Sequence, residues 1–327
     1  MRMASAQPSP SPGTGPAEQA RTLITRLVDN LEKAIRGKRE ALELVLCCVA
    51  AGGHVLLEDV PGTGKTTLAK ALALSIGGQF KRVQFTPDLL PTDIVGTSLF
   101  NPQDGSFRFK AGPIFANVLI ADEINRASPR TQSALLEGLS EQQVTVDGET
   151  RSLPSPFLCI ATQNPVEFHG TYPLPEASLD RFAAQLSLGY PPEAEERALL
   201  TEQHGARAAA TLEPVCTLEE VVALQRAVDQ VRLESSVADY LLRVVHATRS
   251  HASVRLGVST RGALLYGRMA RARALAQGRD FVLPEDLKVL AVPVLTHRLV
   301  LDTRARYAGT DKQSLTQDLV SAVPLPR

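Results

Sequence analysis

The chain has 327 residues, 44% of them apolar and 21% charged, which is the composition of a globular protein long enough for two domains. Its 35 basic and 35 acidic side chains cancel, so the net charge gives no reason to expect a nucleic-acid or membrane partner. No apolar run approaches the roughly 18 residues of a membrane span, and no apolar signal core opens the chain. The four cysteines form no C-x-x-C pair, which favours buried, reduced thiols in a cytoplasmic protein over a metal site.

The beginning of the chain predicts a disordered segment followed by two helices. Residues 1–17 are rich in Pro, Ser, Gly and Ala, and they offer too little apolar surface to drive folding. The next stretch has one apolar face with a spacing of four residues, formed by Leu23, Leu27, Leu31 and Ile35. It predicts an amphipathic helix up to Ile35 with Gly37 as its C-cap, and a second helix is expected from Arg39 to about Ala51.

The stretch that follows predicts a phosphate-binding loop between a strand and a helix. A short apolar run from His54 breaks at Pro-Gly-Thr-Gly, and a good helix former continues to about Ile76. Glycines let consecutive N–H groups turn inward, and the positive end of the next helix points to the same spot. We therefore expect the nucleotide to contact Pro61, Gly62, Thr63, Gly64, Lys65, Thr66 and Thr67.

Within this loop, Lys65 would reach the β- and γ-phosphates of ATP, and the Thr66 hydroxyl would coordinate Mg²⁺. Asp59 stands where the general pattern has a glycine. The alternative interpretation is an ordinary glycine turn.

Alternating residues predict a strand at 80–85 and two hairpins. The first hairpin is expected at Leu99–Phe109 around Asp104-Gly105, and the second at Gln142–Arg151 around Asp147-Gly148.

A second chemical motif is the apolar run Val118–Ala121, which ends in Asp122 and Glu123. It predicts a buried strand that delivers two carboxylates to the edge of a sheet where α/β proteins build their sites. Asp122 would orient the water shell of Mg²⁺, and Glu123 would polarise the water that attacks the γ-phosphate. The alternative is that the pair only caps the helix that follows.

Two further side chains are candidates for the same chemistry. Asn164 follows the buried strand 157–162 and could hold the attacking water or touch the γ-phosphate, although Asn-Pro is also a common turn. Arg181 follows a short helix, and its alternative is an ordinary surface charge. A strand at 184–188 then stops at Tyr190-Pro191-Pro192, which we interpret as the boundary between a domain at 18–191 and the next one.

From residue 192 to residue 307 the pattern predicts a small helical bundle. The expected helices are 193–204, 218–231, 236–250, 260–277 and 284–298. Arg261 begins the fourth, and the later arginines of that helix are read as a solvated face. Residues 308–327 are read as a polar tail.

Together these segments resemble the MoxR family of AAA+ ATPases over about Glu18 to Arg298. The resemblance rests on the strings HVLLEDVPGTGKT (54–66), QFTPDLLP (84–91), ADEINRA (121–127), ATQNP (161–165) and GTYPLPEASLDRF (170–182). Asp59, which departs from the general loop, is the residue that this family usually has.

The resemblance implies an α/β P-loop core with a five-stranded parallel sheet flanked by helices, followed by an all-α lid domain. Asn164 then corresponds to sensor 1, and Arg181 to an arginine finger offered in trans to a neighbour's nucleotide. Arg261 corresponds to the sensor 2 arginine, although the family's usual Ser-Pro-Arg is Ser-Thr-Arg here. Ile35 and Gly37 lie where such proteins contact adenine.

The resemblance also implies partners: a homo-oligomeric, usually hexameric ring, a protein with a von Willebrand factor A domain, and a client of unknown identity. A magnesium-chelatase-like subunit is a close alternative. A nucleic-acid motor is disfavoured by the neutral charge and by an acidic hairpin tip at 145–149, and a small-molecule kinase lacks a recognisable acceptor pocket.

Overall fold

The computed structural model describes residues 15–164, 171–202 and 211–326. Residues 1–14 of the segment predicted to be disordered (1–17), and the end of the helix predicted at 193–204, lie outside these ranges. The first helix begins at Pro16, inside the segment expected to be disordered, because proline is well tolerated in the first turn of a helix.

Helices and strands alternate through the first part of the chain, and helices dominate the rest. The strands are β1 (His54–Glu58), β2 (Phe80–Gln84), β3 (Gly96–Asn101), β4 (Ser106–Ala111), β5 (Val118–Asp122), β6 (Gln143–Val146), β7 (Glu149–Ser152), β8 (Leu158–Gln163), β9 (Phe182–Leu186), β10 (Val254–Leu256) and β11 (Val300–Leu301). The helices are α1 (Pro16–Glu32), α2 (Arg39–Ala50), α3 (Lys65–Ser75), α4 (Pro91–Val95), α5 (Pro129–Glu141), α6 (Glu176–Leu179), α7 (Glu193–Glu202), α8 (Leu218–Gln230), α9 (Ser235–Ser250), α10 (Thr260–Ala276), α11 (Pro284–Leu295), α12 (Thr303–Tyr307) and α13 (Lys312–Ala322).

The five-stranded parallel sheet expected from the family resemblance is present, in the order β2-β5-β8-β1-β9. Helices cover both of its faces, so β5 and β8 read as nearly continuous apolar runs rather than alternating ones. All five strands end at the same edge of the sheet. The registers place Gln84 beside Asp122, and Glu58 beside Gln163, at that edge.

Both predicted hairpins are present. The first pairs β3 with β4, and the second pairs β6 with β7 through Asp147 and Gly148, which both have positive φ angles of 52° and 80°. The hairpins contact each other, since the Arg151 guanidinium lies 4.0 Å from the centroid of the Phe109 ring.

The first helix is shorter than predicted. It ends at Glu32 rather than near Ile35, and Lys33 is its C-cap. Gly37 is therefore not the cap. It occupies the turn between α1 and α2 with φ +68°, a conformation that favours glycine.

Most of the predicted C-terminal helices are observed within two or three residues of their expected bounds, as α7 to α11. The small antiparallel sheet β10–β11 was not predicted, because strands of three and two residues leave no readable pattern. The C-terminal segment that we interpreted as a polar tail contains α13, a helix that the sequence did not predict. This helix buries Leu315, Leu319 and Val320 against the rest of the lid.

Two apolar clusters hold the described chain together. The larger one is continuous from the first helices across one face of the sheet into the C-terminal bundle, and the smaller one lies under α5 and the hairpins. The four cysteines are buried and unpaired, as predicted. Burial raises the pKa of Cys47 and Cys216 to about 12. Within the described ranges, we find no helix that combines the length and the apolar character needed to cross a membrane.

Candidate functional site

The loop after β1 has the geometry that phosphate binding requires. Gly62 and Gly64 have φ angles of +87° and +91°, a region that favours glycine. At Gly62 a Cβ would meet nothing within 4 Å, so conformation rather than crowding selects glycine there. Helix α3 starts directly after the loop, at Lys65, and its first N–H groups and positive dipole end face the loop. The Lys65 ammonium donates to the carbonyls of Asp59 and Val60, each at 2.9 Å.

The loop and the ends of the central strands enclose one cavity of about 390 Å³. The predicted residues that line it are Pro61, Gly62, Gly64, Lys65, Thr66, Thr67, Asp122, Glu123 and Asn164. The structure thus brings the two sequence motifs and Asn164 together at one edge of the sheet. Thr63, also predicted, does not line the cavity, and its hydroxyl lies 3.4 Å from the carbonyl oxygen of Val60.

Both oxygens of the Asp122 carboxylate have partners. The Thr162 hydroxyl donates to Oδ1 at 2.7 Å, and the Arg82 guanidinium donates to Oδ2 at 2.7 Å. Thr162 is the residue before the last one of the neighbouring strand β8, and its hydroxyl oxygen also accepts the backbone N–H of Glu123 at 2.8 Å. The end of β5 is therefore fixed from both sides by side chains of the adjacent strands.

Glu123 occupies the left-handed region with φ 56°, which is unusual for a residue with a side chain. Such conformations cost free energy and concentrate at functional sites. Its carboxylate accepts the Gln84 amide at 2.8 Å and lies 3.1 Å from Nε of Arg126. The carboxylate is held at the cavity wall, where it can accept a proton from a water molecule.

The residues around the cavity fit a magnesium–nucleotide complex. Mg²⁺ prefers oxygen ligands, and the Thr66 hydroxyl and the Asp122 carboxylate face the same cavity as the loop amides and Lys65. The amides, the ammonium and the helix end supply the positive partners that a polyphosphate needs.

The predicted adenine contacts lie beside the loop. Cδ1 of Ile35 is 3.4 Å from the position that a Cβ on Gly64 would occupy. A Cβ on Gly37 would lie 2.8 Å from Cδ of Pro192, so this turn packs closely against the start of the C-terminal region. Contact of either residue with adenine remains a prediction.

Asp59 has a structural role that the sequence did not suggest. Its buried carboxylate accepts the Ser187 hydroxyl at 2.7 Å and the backbone N–H groups of Leu188 and Gly189 at 2.6 and 3.0 Å. The first residue of the phosphate loop is thereby tied to the segment that leads from β9 towards the lid.

The structure places Arg181 and Arg261 apart from the phosphate cavity and beside each other. They line a second cleft of about 360 Å³ with Arg268, Gly52 and Gly53. Burial, and then the charge of Arg261, lower the pKa of Arg181. Nε of Arg181 is buried without a hydrogen-bond partner, and within the described ranges neither arginine forms an ion pair.

A hydrogen-bond network fixes this arginine cleft. The carboxylate of Asp180 accepts Nε of Arg298 at 3.0 Å and the Ser259 hydroxyl at 2.7 Å. Ser259 in turn accepts the Gly262 N–H at 2.9 Å and caps α10, the helix that carries Arg261. The residue before Arg181 is thus bonded to the start of the helix of Arg261.

Sequence reasoning missed four residues of the phosphate cavity, namely Arg82, Gln84, Thr162 and Gln163. Thr162 and Gln163 end a strand that was recognised, so their position alone could have indicated them. Arg82 and Gln84 become visible only once β2 is paired in register with β5.

The sheet carries a phosphate loop after β1 and an acidic pair at the end of β5, with β8 between these two parallel strands. This arrangement defines a P-loop nucleoside triphosphatase. Comparison with known proteins narrows this class. The profile described as "ATPase family associated with various cellular activities (AAA)" matches residues 54–184, and that of the AAA lid domain matches residues 246–319.

Similar proteins cover nearly the whole chain. The uncharacterized protein YeaC of Bacillus subtilis is 48% identical over 94% of this chain and 97% of its own length. Chaperone MoxR1 of Mycobacterium tuberculosis is 38% identical over 97% of this chain and 86% of its own length. The crystal structure of a candidate ATPase from Cytophaga hutchinsonii superposes with a TM-score of 0.88 at 35% identity, covering 95% and 97% of the two chains. The chain belongs to the MoxR family of AAA+ ATPases.

Proposed function

We propose that this ATPase works as a ring of identical subunits, in which Arg181 and Arg261 of one copy complete the phosphate site of the next. The observation that supports the proposal is the position of these two arginines, which line their own cleft and not the cavity of their own phosphate loop. Each subunit then carries two incomplete halves of a site, and turnover requires a neighbour.

Within one cavity, the proposed roles divide as follows. Lys65 and the loop amides bind the β- and γ-phosphates, Thr66 and Asp122 hold Mg²⁺ and its water shell, and the metal neutralises phosphate charge. Glu123 accepts a proton from the attacking water, and Asn164 orients that water or the γ-phosphate.

The arginine pair has the electrostatics of an anion-binding half-site. Two like charges in one partly buried cleft repel each other, which is why the charge of Arg261 contributes to the lowered pKa of Arg181. An anionic group inserted between them would relieve the repulsion and supply charge-assisted hydrogen bonds. The γ-phosphate of a nucleotide on a neighbouring copy has the required charge and shape.

The work performed by the ring is proposed from the family resemblance. We propose that ATP turnover remodels, matures or activates a client protein, together with a partner that carries a von Willebrand factor A domain, and that the ring is a hexamer in the cytoplasm. The relative named Chaperone MoxR1 supports a chaperone-like role. The exposed apolar side chains of the first hairpin, Phe100 and Phe107, favour contact with protein over nucleic acid.

A mixing experiment tests whether the site is shared. Glu123→Gln and Arg181→Ala should each abolish or strongly reduce ATP turnover while leaving nucleotide binding in place. When the two inactive variants are mixed, the intact Glu123 of one subunit meets the intact Arg181 of its neighbour, so part of the activity should return. The measurement is steady-state phosphate release as a function of mixing ratio.

Arg232→Ala is the matched control, because Arg232 is 62% exposed and lies outside both cavities. Measured by itself, without mixing, Arg232→Ala should show the ATP turnover of the unaltered protein. If mixtures stay as inactive as the two separate variants, Arg181 does not complete the site of a neighbouring subunit, and the shared site is excluded.

A further inference from the structure

Two side chains of the edge strand β2 join the carboxylates of the phosphate cavity into one network. Arg82 and Gln84 are two residues apart on this strand, so their side chains share one face. Arg82 donates to Asp122 at 2.7 Å and to the amide oxygen of Gln84 at 2.9 Å. The amide nitrogen of Gln84 then donates to Glu123 at 2.8 Å.

Arg82 occupies one oxygen of the carboxylate that would orient the water shell of a cation. Thr162 already holds Oδ1 of Asp122, and Arg82 holds Oδ2. A cation whose water shell is oriented by Asp122 must therefore share or displace the guanidinium. Both bring positive charge to the same carboxylate, so they compete for it.

Asp122 and Arg82 differ in burial in the way expected for a fixed charge and a counter-ion that can move. The side chain of Asp122 is 12% exposed, so leaving its charge unpaired would be costly. The side chain of Arg82 is 50% exposed and lines the cavity, so it can leave Asp122 without breaking any core packing. Because Arg82 has a long flexible stem and several donors, its guanidinium can turn towards a phosphate oxygen in the same cavity.

We propose that Arg82 is the resident counter-ion of the phosphate site: it neutralises Asp122 when Mg²⁺ is absent and releases it when the metal binds. The residue then sets how strongly nucleotide binding depends on the metal. In the metal-free protein, Arg82 prevents Asp122 from repelling an incoming polyphosphate. Once Mg²⁺ is bound, the metal neutralises Asp122, and Arg82 no longer affects the affinity for the nucleotide.

The proposal predicts a change in the coupling between nucleotide and metal, which binding experiments measure without turnover. The probe is N-methylanthraniloyl-ADP, titrated against the protein in EDTA and at saturating Mg²⁺. In Arg82→Ala, we expect the metal-free affinity to fall about tenfold, while the affinity at saturating Mg²⁺ stays within about twofold of the unaltered protein. The ratio of the two affinities should therefore rise about tenfold.

Two further variants separate charge from structure. Arg82→Lys keeps a positive charge on β2, and its ratio should lie between those of the unaltered protein and Arg82→Ala. Lys81→Ala removes an equal charge from the neighbouring, exposed position of the same strand and should leave the ratio unchanged. Thermal unfolding of all variants without nucleotide verifies that β2 remains folded.

The ratio of the affinities with and without Mg²⁺ can also contradict the proposal. If Arg82→Ala weakens binding equally with and without Mg²⁺, the guanidinium is only a structural or phosphate contact and does not compete with the metal. An unchanged ratio in Arg82→Ala, or an equal change in Lys81→Ala, overturns it as well. Should Arg82→Ala not fold, Arg82→Gln takes its place because it also removes the charge. An unchanged ratio in a stably folded Arg82→Gln then overturns the proposal.

Discussion

His54 illustrates how a single buried residue makes the fold sensitive to pH. Its side chain is buried at the start of β1, its Nδ1 accepts the Cys159 N–H at 3.1 Å, and its Nε2 lies 3.0 Å from the carbonyl oxygen of Leu139. These partners require the neutral tautomer with the proton on Nε2. Burial lowers the pKa of His54 from 6.5 to about 4.

The direction of the pH effect follows from this shift. The pKa of His54 is lower in the folded protein than in the unfolded chain. Neutral His54 therefore costs no stability above about pH 6.5, and the unfolding free energy falls as the pH drops from there towards 4. At about 1.4 kcal/mol per pKa unit, His54 alone should remove about 3 kcal/mol of unfolding free energy by pH 4. His54→Gln keeps a donor for Leu139 but cannot be protonated, so this loss should disappear.

Urea unfolding at pH 7 and pH 4.5 measures the difference. We expect His54→Gln to be the less stable protein at pH 7, and to lose less stability than the unaltered protein on acidification. Parallel losses in the two proteins would mean that His54 is accessible to solvent or titrates normally, contrary to its burial in the structure.

At the scale of elements, α13 shows that the end of the chain is part of the folded lid. Leu315, Leu319 and Val320 are buried, and the Thr316 hydroxyl lies 3.1 Å from that of Thr296. Leu319→Ala should therefore lower the unfolding free energy by about 2–4 kcal/mol, the cost of a cavity in a packed core. Chemical denaturation of the full-length protein measures this loss.

Gln317→Ala is the matched control, since Gln317 lies on the exposed face of the same helix. It should change the stability by less than about 0.5 kcal/mol. If Leu319→Ala were as mild as this control, α13 would not contribute to the core.

The same elements indicate what the sequence can and cannot predict. Strands β5 and β8 are predictable because both faces of a parallel sheet are covered, so each strand is a run of apolar residues. The polar residues at the end of each run can then be located from the sequence. Helix α13 was missed because its buried positions are few and are separated by polar residues, a pattern too weak over eleven residues.

The candidate site divides in the same way. Lys65, Thr66, Asp122 and Glu123 are each identified by their neighbours along the chain, so they could be predicted. The partnership of Arg82 with Asp122 depends on the pairing of two strands 40 positions apart, and no local pattern encodes it. The cleft shared by Arg181 and Arg261 likewise appears only when the lid is packed on the sheet.

For the whole molecule, the shared site that we propose at the arginine cleft predicts that turnover depends on assembly. Leu264 lines this cleft beside Arg261 and is 73% exposed, an apolar side chain that a neighbouring copy would cover. If the site is shared, dilution should dissociate the copies and lower the turnover per subunit. Leu264→Glu should shift this dependence to a protein concentration about tenfold higher or more, because it places a charge in the proposed interface.

The measurement is ATP turnover per subunit across a dilution series, together with sedimentation velocity at the same concentrations. Leu242→Glu is the control, because Leu242 is 47% exposed on α9 and outside the cleft, so its dilution curve should match that of the unaltered protein. Turnover that is independent of concentration in a sedimenting monomer would exclude a shared site. Turnover that falls on dilution in step with dissociation, and earlier in Leu264→Glu, would place the neighbour's contribution at the arginine cleft, since that is the surface the substitution alters.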